Sequence, residues 1–193
     1  MRNVCIFCGA HPGARPAYAL TAQRLAEAMA ARGLGLVYGG ASVGLMGLIA
    51  DTALAKGGKV YGVLPEFMVA RELAHRGLTE LVLVGSMTER KAEMAARSDA
   101  FVALPGGFGT LDELFEVLTW SQLGLHKKPV ALLDVEGYWS SLVAFLDHAV
   151  REGLLRPEYR AMLFVEDDVD KLLDRLTRHP VPEVPQALGP GQT

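Results

Sequence analysis

The sequence predicts an α/β fold, a doubly wound parallel sheet of about seven strands with helices on both faces, and three observations predict it. Short apolar runs recur along the chain, most of them flanked by glycine or proline and all too short for a helix. Between them lie longer stretches whose apolar residues repeat at helical spacing. Such alternation forces right-handed crossovers, hence parallel strands covered by helices on both faces. The third observation is the placing of the glycines. Glycine-rich loops follow strands one, two and five, at the C-terminal ends where a Rossmann-like sheet opens its crevice.

Taken in order, Val4 to Cys8 is the first strand, and Gly9-Ala-His-Pro-Gly13 turns the chain into a helix from Pro16 to about Ala31. Tyr18, Ala22, Leu25 and Met29 form its apolar stripe, and Gly33 ends it before the strand Leu34 to Tyr38. Gly39-Gly-Ala-Ser-Val-Gly44 opens an alanine-rich helix through Ala55, and Val60 to Leu64 is the third strand, stopped by Pro65. Glu66 to Gly77 is a charged connector or short helix. Leu81 to Val84 is strand four, and Ser86 and Glu89 are spaced as a capping box for a helix to about Ser98. Ala100 to Leu104 is strand five. After its helix come strand Pro129 to Asp134, helix Tyr138 to Glu152, short helix Pro157 to Met162, strand Leu163 to Val165 and helix Asp167 to Thr177.

A chain of 193 residues, 50% hydrophobic, can bury one sizeable core, and one domain over 1–178 suffices. The stretch 179–193, with four prolines and no periodicity, reads as a flexible tail. A net charge of −3 with scattered charges supplies no basic field for nucleic acid or an anionic membrane. A small-molecule partner fits better. The apolar run Val4 to Phe7 is too short for a signal-peptide core and no stretch approaches a membrane span, so a cytoplasmic protein is expected. Cys5 and Cys8 form a C-x-x-C, but at an odd spacing within one strand they point to opposite faces and read as buried structural thiols.

The richest stretch is Asp99 to Glu113, strand, glycine loop and helix in succession. Leu111, Leu114, Phe115 and Leu118 repeat at i, i+3, i+4 and i+7, so Pro105 to Gly109 sits at a helix N-terminus. Unpaired N–H groups and the positive end of the dipole lie there, and Gly106, Gly107 and Gly109 would let a phosphate approach closely. The same residues admit a second reading. Thr110-Leu-Asp-Glu113 fits a capping box in which Thr110 caps the helix and Glu113 reaches back to the Thr110 amide. No Gly-x-Gly-x-x-Gly follows strand one, no acidic residue ends strand two and no Walker lysine follows the glycines, which disfavours NAD and ATP hydrolysis.

A phosphate held by backbone amides recruits a cation, and Arg90 and Lys91 are the candidates on a neighbouring crevice loop. Successive helical residues diverge by ~100°, so both cannot face one atom, and Arg90 is preferred for its bidentate grip. Glu113 is the carboxylate closest to the glycine loop and suits a base or a stabiliser of positive charge. Glu72, beyond strand three, is a candidate second carboxylate.

At this point the motifs resemble those of a known family. Phe7-Cys-Gly, Val37-Tyr-Gly-Gly, Gly44-Leu-Met-Gly, Ser86-Met-Thr-Glu-Arg-Lys, Leu104-Pro-Gly-Gly-Phe-Gly-Thr-Leu-Asp-Glu and the Leu118-Thr-Trp-Ser-Gln-Leu-Gly-Leu-His-Lys-Lys-Pro run are similar to those of the Lonely Guy family, cytokinin riboside 5′-monophosphate phosphoribohydrolases with an older label of lysine decarboxylase-like. The resemblance implies hydrolysis of the N-glycosidic bond of cytokinin riboside 5′-monophosphates or AMP, with Arg90 and Glu113 catalytic. It places substrate contacts on Glu72, Lys91, the loop from Gly107 through Thr110 to Glu113, and Thr119. It also implies a homodimer, and no cofactor or metal is required. Two departures stand out: Ala10-His11 where the family commonly has serine, and Ala41 where it has a third glycine. A non-catalytic nucleotide carrier or sensor on the same scaffold is the alternative, because fold does not fix function. A pyridoxal-phosphate decarboxylase would need a Schiff-base lysine that the motifs do not supply.

Overall fold

The computed structural model describes residues 1–69 and 73–178, so Glu72 and the proposed tail lie outside the described residues. The elements run β1 (Asn3–Phe7), α1 (Pro16–Ala31), β2 (Gly35–Tyr38), α2 (Gly44–Ala55), β3 (Val60–Pro65), α3 (Glu66–Val69), β4 (Glu80–Val84), α4 (Met87–Ala96), β5 (Ala100–Ala103), α5 (Phe108–Gln122), β6 (Val130–Leu133), α6 (Ser140–Arg151), α7 (Pro157–Arg160), β7 (Leu163–Glu166) and α8 (Val169–Arg178). The seven strands form one parallel sheet in the order β4-β3-β2-β1-β5-β6-β7. The chain winds outward from β1 to β4, then returns to the other side of β1 as β5, pairing Val4 with Ala100 and Phe7 with Ala103. That reversal sets the crevice between β1 and β5.

Each sheet face has its own apolar layer, as parallel strands buried on both sides require. Leu25 and Met29 of α1, Ile49 of α2 and Leu172 of α8 pack on one face with Ile6, Leu36 and Val102. Met94 of α4, Leu114 of α5 and Leu146 of α6 pack on the other with Phe7, Val37 and Phe101. Cys8 lies in the first layer and Cys5 in the second, both free thiols, so the C-x-x-C spans the sheet rather than closing on a metal or a disulfide. No helix among the described residues is long and apolar enough to cross a membrane.

Two local readings are corrected. Pro65 does not stop strand three but is its last residue, in register with Val84, a strand-end position where a missing N–H is tolerated. The capping box at Thr110 does not form: α5 begins at Phe108 with Gly107 as its N-cap, which puts Thr110 inside the first turn. Leu111 already donates to Gly107 O at 3.0 Å, and the Glu113 carboxylate goes to Arg90 instead of the Thr110 amide. At α4 the cap is real. Ser86 Oγ accepts from the Glu89 N–H at 3.1 Å, while Glu89 Oε2 reaches one residue further back than expected, to the Gly85 N–H at 2.9 Å.

Candidate active site

A cavity of about 470 Å³ opens at the C-terminal ends of β1 and β5, within the ~300–1,000 Å³ usual for small-molecule sites. The loop after β1, the glycine loop after β5 and the starts of α2 and α5 line it, and Arg90 and Glu113 reach in from α4 and α5. The strand order brings residues distant in sequence to one point.

Arg90 and Glu113 form the centre. Arg90 Nη1 donates to Glu113 Oε1 at 2.9 Å and Arg90 Nε to Val63 O at 3.1 Å, with the residues 7% and 8% exposed. A buried charge pair survives only where its donors and acceptors are satisfied. The second glycine loop serves this pair. A Cβ on Gly39 would collide with the Arg90 guanidinium, so this glycine makes room for the arginine rather than for a ligand. Ala41 lies beneath, 2% exposed and bridged to Ala74, away from the cavity. Burial pushes the Glu113 carboxyl above the ordinary glutamate value, and the adjacent Arg90 guanidinium opposes that rise.

The start of α5 is left bare. No side chain caps Gly107, and the first N–H groups of a helix have no intrahelical partners. Gly106 is required by packing, since a Cβ there would run into the Thr110 side chain. At Gly107 and Gly109 a Cβ would meet nothing within 4 Å, so no neighbouring protein atom demands glycine at either position, and both line the cavity. An uncapped, positively polarised helix end facing a cavity is suited to a phosphate.

The other sequence candidates fall elsewhere. Lys91 turns away from the cavity, its Nζ 3.0 Å from Asp112 and 3.1 Å from Glu116 on the flank of α5. Burial acts to lower its pKa, but these two carboxylates outweigh that and raise it. Thr119 Oγ1 donates to Phe115 O at 2.7 Å, in a shallow groove along the outer face of α5 that also holds Phe108, Phe115 and Trp120. Three cavity residues escaped sequence reasoning. Tyr138 Oη donates to Gly106 O at 2.7 Å, clamping the glycine loop from the far side of β6, and packs edge-on against Tyr18 with ring centroids 5.6 Å apart. His11 enters from the loop after β1. Its one visible signal was the departure from serine. No lysine among the described residues lines the cavity.

Fold and site define a Rossmann-like α/β protein whose crevice holds an uncapped helix start and, among the described residues, one buried Arg–Glu pair at its switch point. The family model described as "Possible lysine decarboxylase" matches residues 46–176. A probable cytokinin riboside 5′-monophosphate phosphoribohydrolase of Oryza sativa subsp. japonica is 50% identical over 181 residues, covering 94% of this chain and 74% of the relative. A cytokinin riboside 5′-monophosphate phosphoribohydrolase of Arabidopsis thaliana is 46% identical over 182 residues, covering 92% and 85%. The chain belongs to this family, the Lonely Guy phosphoribohydrolases. Among solved structures, the molybdenum cofactor carrier protein of Chlamydomonas reinhardtii aligns with a TM-score of 0.69 at 21% identity, over 92% of this chain and 96% of that one. A molybdenum cofactor binding protein from Rippkaea orientalis aligns with the same TM-score at 20% identity, and at this distance the likeness is one of fold.

Proposed function

We propose that this protein hydrolyses the N-glycosidic bond of cytokinin riboside 5′-monophosphates, AMP or both, releasing the free purine base and ribose 5-phosphate. The observation that carries this reading is the buried Glu113 carboxylate, held by Arg90 and lining the same cavity as the bare start of α5. The relatives' activity supports the substrate class. The 5′-phosphate sits against Gly107, Gly109 and Thr110, with Gly106 fixed behind them, so the sugar is delivered over Glu113 and much of the barrier is met by positioning. As the C1′–N bond breaks, its electron pair leaves with the base and positive charge develops on the ribose. Glu113 stabilises that charge and takes a proton from the water that attacks C1′; that hydrogen is balanced by the proton gained by the purine nitrogen that received the electron pair, and water's hydroxyl stays on C1′. Arg90 holds the carboxylate in one orientation and opposes the rise in its pKa that burial causes. Glu72, Lys91 and Thr119 are the further substrate contacts that the family resemblance implies; in this chain Lys91 and Thr119 do not line the cavity.

Self-association belongs to the same proposal. Leu114 and Val117 of α5 are buried inward, while Phe115, Leu123 and Leu125, on and just beyond its outer side, are 38%, 48% and 70% exposed, an apolar surface of the kind that marks an interface. Light scattering that gives twice the chain mass supports the homodimer, and a monomer at assay concentration overturns it. The activity itself is tested by incubating the protein with AMP and, separately, isopentenyladenosine monophosphate, and separating the products. Free base with stoichiometric ribose 5-phosphate is expected. Nucleotide bound without base release would replace the hydrolase with a carrier.

A further inference from the structure

Among the described residues, the cavity offers little positive charge for the nucleotide proposed to bind there. A nucleoside 5′-monophosphate carries nearly two negative charges, whereas the N-terminus of a helix offers about half an elementary charge. Arg90 is the one permanently cationic side chain lining the cavity among the described residues, and Glu113 faces it. Lys91 is engaged outside with Asp112 and Glu116. Arg15, on the loop before α1, is paired with Glu136 at 3.1 Å.

His11 is placed to fill the deficit. Its loop is pinned from both sides: Gly9 donates to Pro105 O at 3.1 Å, and Gly9 O accepts from the Leu45 N–H at 3.1 Å. A Cβ on Gly9 would stand 3.1 Å from His11 O and 3.5 Å from Gly106 Cα, which puts His11 beside the glycine loop of the phosphate cradle. Its imidazole is exposed, lines the cavity and has no carboxylate partner. Among the described residues, the other ionisable groups facing the cavity are Cys8 just after β1, Tyr18 of α1, Arg90 of α4, Glu113 of α5 and Tyr138 ahead of α6. Arg90 and Glu113 cancel, and the thiol and the two phenols are of classes that stay neutral near pH 7. Imidazole is the class that changes charge there.

We propose that the His11 side chain meets the 5′-phosphate of the bound nucleotide as its charged partner, so that affinity for the phosphorylated ribose is lower at about pH 8 than at about pH 6. The proposal rests on the nucleotide reading of the cavity. The shared chemistry is a phosphomonoester, and the non-reacting product ribose 5-phosphate is a probe that needs no turnover.

Calorimetric Kd values for ribose 5-phosphate are compared for the protein, His11→Gln and His11→Lys at about pH 6 and about pH 8. The second ionisation of the phosphate is common to all three and cancels in the ratios. The unsubstituted protein is expected to bind about tenfold more tightly than His11→Gln at the lower pH and nearly equally at the higher, while His11→Lys, charged throughout, keeps its advantage at both. Ribose is expected to show no such dependence. A ratio to His11→Gln that does not change with pH, a Lys variant that loses affinity, or no binding of ribose 5-phosphate would each overturn the proposal. Base release from AMP is read separately, so a failed hydrolase and a failed phosphate contact are told apart.

Discussion

At the start of α4, Ser86-Met-Thr-Glu89 closes the helix on itself, the serine accepting from the Glu89 amide and the Glu89 carboxylate from Gly85. At α5 the similar Thr110-Leu-Asp-Glu113 leaves the helix open, with Gly107 as a bare cap and Glu113 turned to Arg90. The difference comes from where each helix begins. Ser86 is the N-cap of α4, so Glu89 stands at the third helical position. At α5 the helix starts two residues before Thr110, which carries Glu113 into the second turn and onto the side facing Arg90. In one place the pattern stabilises a helix; in the other it supplies a carboxylate and leaves N–H groups for a ligand.

The comparison breaks most visibly at the arginine. Arg90→Ala leaves the buried Glu113 without its partner and is expected to cost about 3–5 kcal/mol of stability, read as a lower Tm, together with loss of base release. Arg90→Lys is not expected to restore both hydrogen bonds, because an ammonium cannot span Val63 and Glu113 as a planar guanidinium does.

Next comes Glu113→Gln, expected to lower kcat by roughly 10²–10³-fold by removing a preorganised charge from the developing cation. The pH profile sharpens this. Glu113 must be ionised to act and its pKa is raised by burial, so the acid limb of the rate falls at a pH above the ordinary glutamate value. Linkage runs the other way: with a folded pKa above the unfolded one, the stability contributed by this group is present at low pH and is lost as pH rises through the folded value.

The two kinds of glycine separate at a smaller scale. Gly106→Ala collides with Thr110 and is expected to destabilise by about 1–3 kcal/mol. Gly109→Ala meets no protein atom within 4 Å. It is expected to keep or slightly raise Tm while raising KM for the nucleotide, because the added methyl narrows the cavity that this glycine lines. Smallest is Ser86→Ala, expected to cost about 1 kcal/mol of stability with base release unchanged, as befits a cap that does not line the cavity.

The sequence made the strands, the helices and the crevice legible because short apolar runs and helical stripes are local signals. Arg90 and Glu113 were legible for the same reason, each standing close to a loop at the crevice. The exact start of α5 was not, since Phe108-Gly109 reads as loop until the turn is seen to tolerate it. Nor could the sequence show that Gly39 serves Arg90, that Lys91 is held by Asp112 and Glu116, or that Tyr138 clamps Gly106, because all three depend on contacts between segments brought together only by the sheet order.

The most direct test sets the two glutamates side by side: base release from AMP and Tm for Glu113→Gln and Glu89→Gln. The site described here predicts that Glu113→Gln folds and loses turnover by orders of magnitude, while Glu89→Gln loses under about 1 kcal/mol of stability and no activity. Equal, near-native turnover in both variants would contradict it and leave Glu113 as no more than the buried structural partner of Arg90.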